Sequence, residues 1–134
     1  MSAHVRRFSP LILCLLALAV PALAVAAPAG SYKGQATGTD GKFKYGKVTF
    51  KVKGSTIRDL RIEGVTTSGC GGFKDVIVPK LTIKGNRFSG TYRPVASVDD
   101  KITVKGSFSG SKATATFKEG PTCVNAGRFT AKRG

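Results

Sequence analysis

The sequence has no tryptophan, a single histidine, and only seven acidic residues against 22 lysines and arginines. The histidine, His4, lies in the first ten residues, ahead of the remainder of the chain. If the N-terminal segment that contains His4 is cleaved, the remaining chain has no histidine, which excludes Ser-His-Asp and Cys-His nucleophilic centres and histidine-based zinc and copper sites. The sequence therefore predicts a protein that is not an enzyme and that holds no metal or cofactor.

Long apolar runs are also scarce, and the longest one is a leader. Arg6 and Arg7 precede the apolar block Leu11–Val20, and Pro21 with several small residues follows it. This order is typical of a secretory signal peptide, and the block is shorter than the roughly 20 apolar residues of a transmembrane helix. We expect a signal peptide over 1–26, cleaved after Ala26, and a single β domain over 27–134.

Cleavage would change the charge and the cysteine count. Arg6, Arg7, His4 and Cys14 are removed, which leaves 20 cationic and 7 acidic residues and a net charge of +13. The two remaining cysteines, at 70 and 123, predict one disulfide, because exported compartments are oxidising. In the chain-entropy account, a disulfide that closes the loop between positions 70 and 123 stabilises the fold by about 4 kcal/mol.

The domain after the leader has the pattern of β-strands. Val48, Phe50 and Val52 alternate with polar residues, and no apolar stripe of helical period occurs after Pro28. The fold class is therefore all-β, with about eight antiparallel strands in an up-and-down meander that closes into a small β-barrel or a flattened sandwich. The predicted strands are 31–38, 43–53, 56–63, 76–84, 87–95, 101–109, 112–118 and 128–133.

Glycine-containing pairs mark the turns between these strands. Such pairs suit two-residue hairpin turns of type I′ or II′. Two longer connections, Gly64–Asp75 and Glu119–Gly127, each contain one cysteine, and alternate loops of a meander share one end, so the disulfide is allowed. The predicted tight turns are Asp40-Gly41, Gly54-Ser55, Gly85-Asn86 and Gly110-Ser111.

The order of these pieces resembles that of small secreted, β-rich proteins of actinobacteria with a signal peptide and two cysteines. The pieces that carry the resemblance are Ser31-Tyr32-Lys33-Gly34, Val48–Gly54, Cys70, Phe88–Gly90, Phe108–Gly110, Cys123 and Phe129–Arg133. It spans nearly the whole domain after the leader. The resemblance implies export and a β-fold, and it implies no particular activity.

Two carboxylates could still carry out glycoside hydrolysis, which uses a pair of Asp or Glu residues. Plainer roles are expected for these groups: Asp99-Asp100 marks a turn, and Asp59 and Glu63 offset the neighbouring arginines. The candidates are Asp59, Glu63, Asp75, Asp99, Asp100 and Glu119.

Positive charge is the strongest functional signal. A field of this sign on a small body attracts polyanions, and outside a cell these are anionic wall or surface polymers, lipid headgroups and extracellular DNA. Lysines on alternate positions could instead simply protect strand edges. Specific nucleic-acid recognition is not expected, because apart from Phe43 and Tyr45 most aromatic residues have inward phases. The polyanion-binding candidates are Lys42, Lys44, Lys47, Lys51, Lys53, Lys84, Lys101 and Lys105.

Three functions follow from these features. The favoured one is a non-enzymatic, exported basic protein that associates electrostatically with anionic cell-envelope polymers, with peripheral membrane contact as a variant. The second is a small-ligand carrier that uses the barrel interior, where the small inward residues Ala113 and Ala115 would leave space. The third is a disulfide-braced inhibitor or interaction module that presents one of the two cysteine loops.

Overall fold

The computed structural model describes residues 27–94 and 99–134, which form a single sheet of eight strands. The expected signal peptide and its cleavage site lie outside the described residues. Within these two segments, the structure contains no helix with the length and apolarity that a membrane crossing requires. The strands are β1 (Gly30–Thr37), β2 (Lys44–Lys53), β3 (Thr56–Thr66), β4 (Phe73–Lys84), β5 (Arg87–Tyr92), β6 (Lys101–Ser109), β7 (Lys112–Gly120) and β8 (Asn125–Arg133).

The sheet closes on itself. Each strand pairs antiparallel with the next, and β1 pairs with β8 as well as with β2, so the up-and-down meander is a barrel and not a sandwich. The closing ladder includes Lys33 opposite Lys132 and Thr37 opposite Arg128. The predicted all-β fold with eight strands is confirmed, and the choice between the two architectures is decided by this one ladder.

The two cysteine connections are shorter than the sequence predicts. Strand β3 continues to Thr66 and β4 begins at Phe73, while β7 continues to Gly120 and β8 begins at Asn125. The β3–β4 pairing continues past a β-bulge, a register shift between Ile62 and Val65, where Gly64 has a φ of +62°. At the far side of the barrel, β5 ends at Tyr92, and the predicted end of that strand at 95 lies outside the described residues.

The two ends of the barrel differ in construction. One end, which we call the turn end, consists of two-residue turns after β2, β4 and β6. Gly54, Gly85 and Gly110 have φ near +60°, and the residue after each does not have a positive φ, as in a type II′ hairpin turn. The other end, the strap end, carries the connections after β1, β3, β5 and β7.

Aromatic rings fill the interior. Tyr32 stacks on Phe50 with ring centroids 4.9 Å apart, and Phe108 meets Tyr32 edge-on at 5.6 Å. Phe88 and Phe129 extend this cluster along the barrel axis, at 5.2 Å from Phe108 and 6.2 Å from Phe50. All five rings are buried, so the cluster forms the centre of the core.

Small inward residues make room for these rings. A Cβ on Gly106 would lie 2.3 Å from the Phe88 ring and 2.6 Å from the Ala115 methyl group. Ala113 and Ala115 face inward as expected, and both are buried. The space they leave holds aromatic side chains, since a narrow eight-stranded barrel alternates small and large residues to fill its interior. The inference that these alanines signal a ligand cavity is therefore not supported by the packing.

A strap closes the strap end. Residues 67–72, between β3 and β4, reach the loop at 121–124, between β7 and β8. These two connections lie half-way round the ring from each other, so the contact between them crosses the barrel mouth. Ser68 and Val124 exchange two backbone hydrogen bonds of 2.8 and 2.9 Å. The Cys70–Cys123 disulfide, confirmed with a Cα–Cα distance of 5.0 Å, fixes the crossing.

Candidate functional site

Charged side chains are distributed unevenly between the two ends. All acidic residues except Asp59 lie in the half of the barrel nearer the strap end, which we call the strap half. They are in the loops of that end or in the strand ends next to those loops. Asp59 lies in the middle part of β3. The tight turns and the strand ends that flank them carry cations only, among them Lys53, Lys84, Arg87 and Arg133. A positive field therefore covers the turn end and the adjoining outer wall.

The eight lysines chosen from the sequence are all exposed, but they do not form one patch. The structure spreads them over the β1–β2 connection, β2, β4 and β6, and over both ends of the barrel. Lys42, Lys44, Lys47 and Lys101 lie in the strap half, Lys51, Lys53 and Lys84 lie toward the turn end, and Lys105 lies between the ends.

Strand pairing instead brings together a different set of cations. Lys132 of β8 lies directly opposite both Lys112 of β7 and Lys33 of β1. Arg58 of β3 lies directly opposite both Lys51 of β2 and Lys80 of β4. All six side chains are exposed on the outer wall.

One diagonal step joins these two rows of three. Lys33 of β1 is opposite Thr49 of β2. The next outward residue on β2 is Lys51, so Lys33 and Lys51 are diagonal neighbours. The result is a continuous line with one cation on each of six consecutive strands. We call it the cation belt; its residues are Lys112, Lys132, Lys33, Lys51, Arg58 and Lys80.

No described acid forms an ion pair with a belt residue. Among residues 27–94 and 99–134, the ion pairs within 4.0 Å engage only two cations, Arg61 and Lys74, and neither is a belt residue. Like charges directly opposite one another destabilise a sheet. The belt therefore costs the fold some stability, and a purely structural role does not explain it.

Edge protection explains at most one residue of the belt. Lysines protect open sheets because an exposed edge would pair with another chain. Strands β4 and β5 pair only from Thr82 to Lys84 of β4, so Lys80 lies on a stretch of β4 without a β5 partner, while the other five belt residues lie on strands that are paired on both sides. In this protein the first and last strands, β1 and β8, pair with each other. Lys33 and Lys132 lie on that closing ladder itself, where no edge remains to protect.

A shallow groove lies at the diagonal step. It has a volume of about 280 Å³, and its outward-facing lining includes Ser31, Lys33, Thr49, Lys51 and Asp59. Two ammonium groups and two hydroxyls therefore line one depression. Phosphate, sulfate and carboxylate oxygens accept hydrogen bonds from groups of this type.

The acid in this groove, Asp59, owes its position to a β-bulge. Thr49 pairs with Arg61 and Lys51 pairs with Arg58, so two residues of β3 oppose one residue of β2. Leu60 turns inward and is buried, and Asp59 takes a φ of +54° with its side chain exposed. Aspartate is one of the few residues that adopt this conformation readily.

The mixed basic and aromatic segment at 42–47 is divided by the structure. Phe43 is 52% exposed. Tyr45 is half-buried; its hydroxyl donates a hydrogen bond to the Ala126 carbonyl at 3.0 Å, and its ring contacts Phe117. Burial raises the pKa of the Tyr45 hydroxyl, and the nearby Asp40 carboxylate raises it further. One aromatic ring, not two, is therefore available on this surface for stacking.

The strap end contains a buried polar cluster that the sequence analysis treated as turn and loop. Glu119 is 1% exposed and lies in β7, where it accepts hydrogen bonds from Lys74 Nζ and Asn125 Nδ2, each at 2.6 Å. Asp100 is also buried, and its carboxylate accepts hydrogen bonds from the Thr122 and Cys123 backbone N–H groups. Asp99-Asp100 is thus more than a turn.

These bonds set the ionisation of the cluster. Burial raises the pKa of Asp100, but the hydrogen bonds from Cys123 and Thr122 outweigh it and hold the pKa below its ordinary value. At the other side of the strap, hydrogen bonds from the Gly64 backbone and the Arg61 side chain lower the pKa of Asp75. Asp100 holds the backbone of the 121–124 loop in place, and Asp75 holds the bulged backbone of β3 at Gly64.

The same cluster has the outline of a cation site without the chemistry of one. Ligand atoms of Asp100, Glu119 and Cys123 lie within 4.8 Å of one another, and Asn125 Oδ1 is buried without a hydrogen-bond partner among the described residues. The Cys123 sulfur, however, is part of the disulfide, and the Lys74 ammonium already pairs with Glu119. The arrangement braces the strap.

Comparison with known proteins adds no further assignment. No protein-family model matches this chain, and no curated protein matches it. The belt, the strap and the filled interior are the features from which a function can be inferred.

Proposed function

We propose that this protein is a non-enzymatic, exported basic protein that associates electrostatically with anionic polymers of the cell envelope. The observation that carries the proposal is the cation belt: six exposed cations on neighbouring strands, with no ion-pair partner among the described acids, five of them on positions paired on both sides where no sheet edge needs protection. Clustered cations without counter-charges bind polyanions with an affinity that falls steeply with salt.

Export is part of the same proposal. The sequence has the order of a signal peptide, and the Cys70–Cys123 disulfide is compatible with an oxidising compartment. The resemblance to secreted actinobacterial proteins points in the same direction. The polymers available there are wall and surface polyanions, which suit a basic outer surface.

The experiment is a salt-step extraction of isolated envelopes to which the exported protein has been bound at low salt. We expect complete release by moderate salt, because the association depends on displaced counterions. Retention in 1 M NaCl, or no association at low salt, would contradict the proposal. A heat-treated protein sample would serve as the control for nonspecific adsorption.

One observation favours a second candidate, the disulfide-braced interaction module. Phe73 and Val124 are 71% and 47% exposed, so a large apolar side chain lies at each side of the strap. If the strap binds a protein partner, Phe73→Ser should reduce the set of envelope proteins captured by the immobilised protein. The same capture by Phe73→Ser and by wild type would rule out a role for this side chain.

The carrier alternative has no such support. Its proposed interior is occupied by the aromatic cluster, and the strap with its disulfide crosses the mouth. The observed packing therefore favours a ligand on the outer wall.

A further inference from the structure

We infer that the polyanion is a flexible, single-chain oxyanion polymer that winds around the barrel along the cation belt, and that stiff duplexes and flat anionic membranes engage only part of it. This inference rests on the proposed function and makes it more specific: it names the shape and stiffness of the ligand.

The path of the belt is the first argument. It has one cation on each of the six strands β7, β8, β1, β2, β3 and β4, and it therefore covers five of the eight intervals between neighbouring strands. No flat or straight partner can follow a line over about five-eighths of the circumference of a barrel. A chain that bends within a few repeats can do so.

The spacing of the belt is the second argument. Directly opposite residues have Cα atoms about 4.5–5.5 Å apart, and diagonal neighbours have Cα atoms about 7–8 Å apart. Four steps of the belt are direct and one, from Lys33 to Lys51, is diagonal. A linear polymer with one oxyanion in each short repeat presents charges at comparable intervals, so that each cation meets its own anion.

The groove at the diagonal step is the third argument. The longest step of the belt lies over the depression that contains the Ser31 and Thr49 side chains. An oxyanion between Lys33 and Lys51 has two hydroxyl donors within the same depression. The groove thus provides polar contacts at the point where two cations are farthest apart.

Stiffness excludes the alternative partners from the full belt. Duplex DNA has a persistence length of about 150 base pairs, so over the width of this barrel it is straight. It contacts the two or three strands that face it. A bilayer surface has the same limitation, because it meets one side of the barrel while the rest of the belt curves away.

The test compares three probes on the full exported protein: long-chain polyphosphate, a DNA duplex, and vesicles containing phosphatidylglycerol. Affinities are measured by titration over a range of NaCl concentrations. Polyphosphate that engages all six cations should give a slope of log K against log salt of about −4, from about 0.7 per neutralised charge on a flexible strand. The duplex, with two or three contacts at about 0.9 each, should give a slope between about −2 and −3.

Matched triple variants locate the binding. Lys33→Gln, Lys51→Gln and Lys132→Gln together remove half of the belt, and Lys84→Gln, Lys101→Gln and Lys105→Gln remove the same charge outside it. The belt variant should reduce the polyphosphate slope by about 2, and the control variant should leave it within about 0.5 of the wild-type value. All six side chains are exposed, so folding should be preserved in both.

A gain-of-affinity variant gives an independent readout. Asp59→Asn removes the acid from the groove while keeping a residue that tolerates the φ of +54°. We expect polyphosphate affinity at low salt to rise about two- to threefold, from the loss of one like charge at close range in water. Asp99→Asn makes the same charge change at the strap end and should have no effect.

The outcomes separate the two levels of the proposal. If polyphosphate and the duplex give equal slopes, or if both triple variants weaken binding equally, winding along the belt is wrong while electrostatic association stands. If none of the three probes binds at low salt, the proposed function itself fails. If polyphosphate binds as expected, a polygalacturonate titration shows whether the oxyanion must be a phosphate. A salt slope equal to that of polyphosphate indicates that any flexible oxyanion chain binds, and a shallower slope indicates a preference for phosphate.

Discussion

The two ends of this barrel are closed by different means. At the turn end, each hairpin is closed locally, and the turn carbonyls of Ser55, Asn86 and Ser111 accept hydrogen bonds from backbone N–H groups of the next strand along the barrel, at 2.8, 2.7 and 3.0 Å. At the strap end, a segment crosses the mouth and is held by a disulfide, a two-residue bridge and buried carboxylates. One end depends on backbone geometry and the other on long-range contacts.

This difference accounts for the distribution of acidic residues. A loop that crosses a barrel mouth leaves backbone N–H groups without sheet partners, and a carboxylate is the strongest acceptor for them. Asp100 binds two such groups at Thr122 and Cys123, and Asp75 binds one at Gly64. The tight turns leave no comparable donors, so the turn end needs no acids and its positive charge is not offset.

Removal of the disulfide should have the largest effect on this comparison. We expect Cys70→Ser with Cys123→Ser to lower the free energy of unfolding by about 4 kcal/mol, because the unfolded chain is no longer closed into a loop. Urea unfolding followed by circular dichroism measures it. Polyphosphate affinity of the folded fraction should be unchanged, since the belt lies outside the strap; a parallel loss of affinity in folded protein would show that the two ends are not independent.

Acid should loosen the strap end through its carboxylates. The folded pKa of Asp75 and of Asp100 is lowered, so their stabilising contribution is complete above the ordinary aspartate pKa of about 3.9 and is lost as the pH falls through the lowered folded values. We expect Asp100→Asn to be less stable than wild type at pH 7, by less than the disulfide variant, and to show a shallower fall in stability below pH 4.

The control for this pH dependence is Asp99→Asn, because Asp99 is exposed and next to Asp100 in the chain. The unfolding free energies of the three proteins would be measured in urea between pH 2 and pH 7. The same pH slope in Asp100→Asn as in wild type would mean that general charge repulsion, and not the strap, governs acid stability.

The smallest effect is expected in the belt, and it should have the opposite sign. Lys132 has a lysine directly opposite on each side, so Lys132→Gln removes two like-charge contacts and should raise the free energy of unfolding by about 0.2–1 kcal/mol. Lys118→Gln is the matched control, since Thr103 and Ala126 lie opposite Lys118. If both variants gain equally, net charge and not cross-strand repulsion is the cause.

The local pattern predicted most of the strands and turns. Alternation of Val48, Phe50 and Val52 places these side chains in the core, and Gly54, Gly85 and Gly110 mark the turns that the structure contains. Two cysteines in alternate loops were sufficient to predict their pairing. The strands and turns depend on residues close in sequence, and the cysteine pairing depends on the rule that alternate loops of a meander share one end. A single sequence is sufficient to apply both.

Long-range pairing accounts for what was missed. Arg58 reads locally as a partner of nearby acids, and Lys33, Lys80 and Lys112 belong to different strands, so no local pattern joins them. The sequence predicts Glu119 as the start of a loop. Its partner Asn125 lies opposite it on β8, and Lys74 reaches it from β4 across the strap end, so neither contact is visible in the local pattern. A search for cations at equal distances from successive turns would have identified part of the belt.

The sequence by itself determined the elements of this protein: strands of period two, glycine turns, a pair of cysteines and an excess of positive charge. These follow from backbone preferences and composition, which act within a few residues or over the chain as a whole. Only the tertiary structure decided that β1 pairs with β8, and with it the continuity of the belt across that ladder. Register across strands is a property of closure, because it depends on residues as far apart as Lys33 and Lys132.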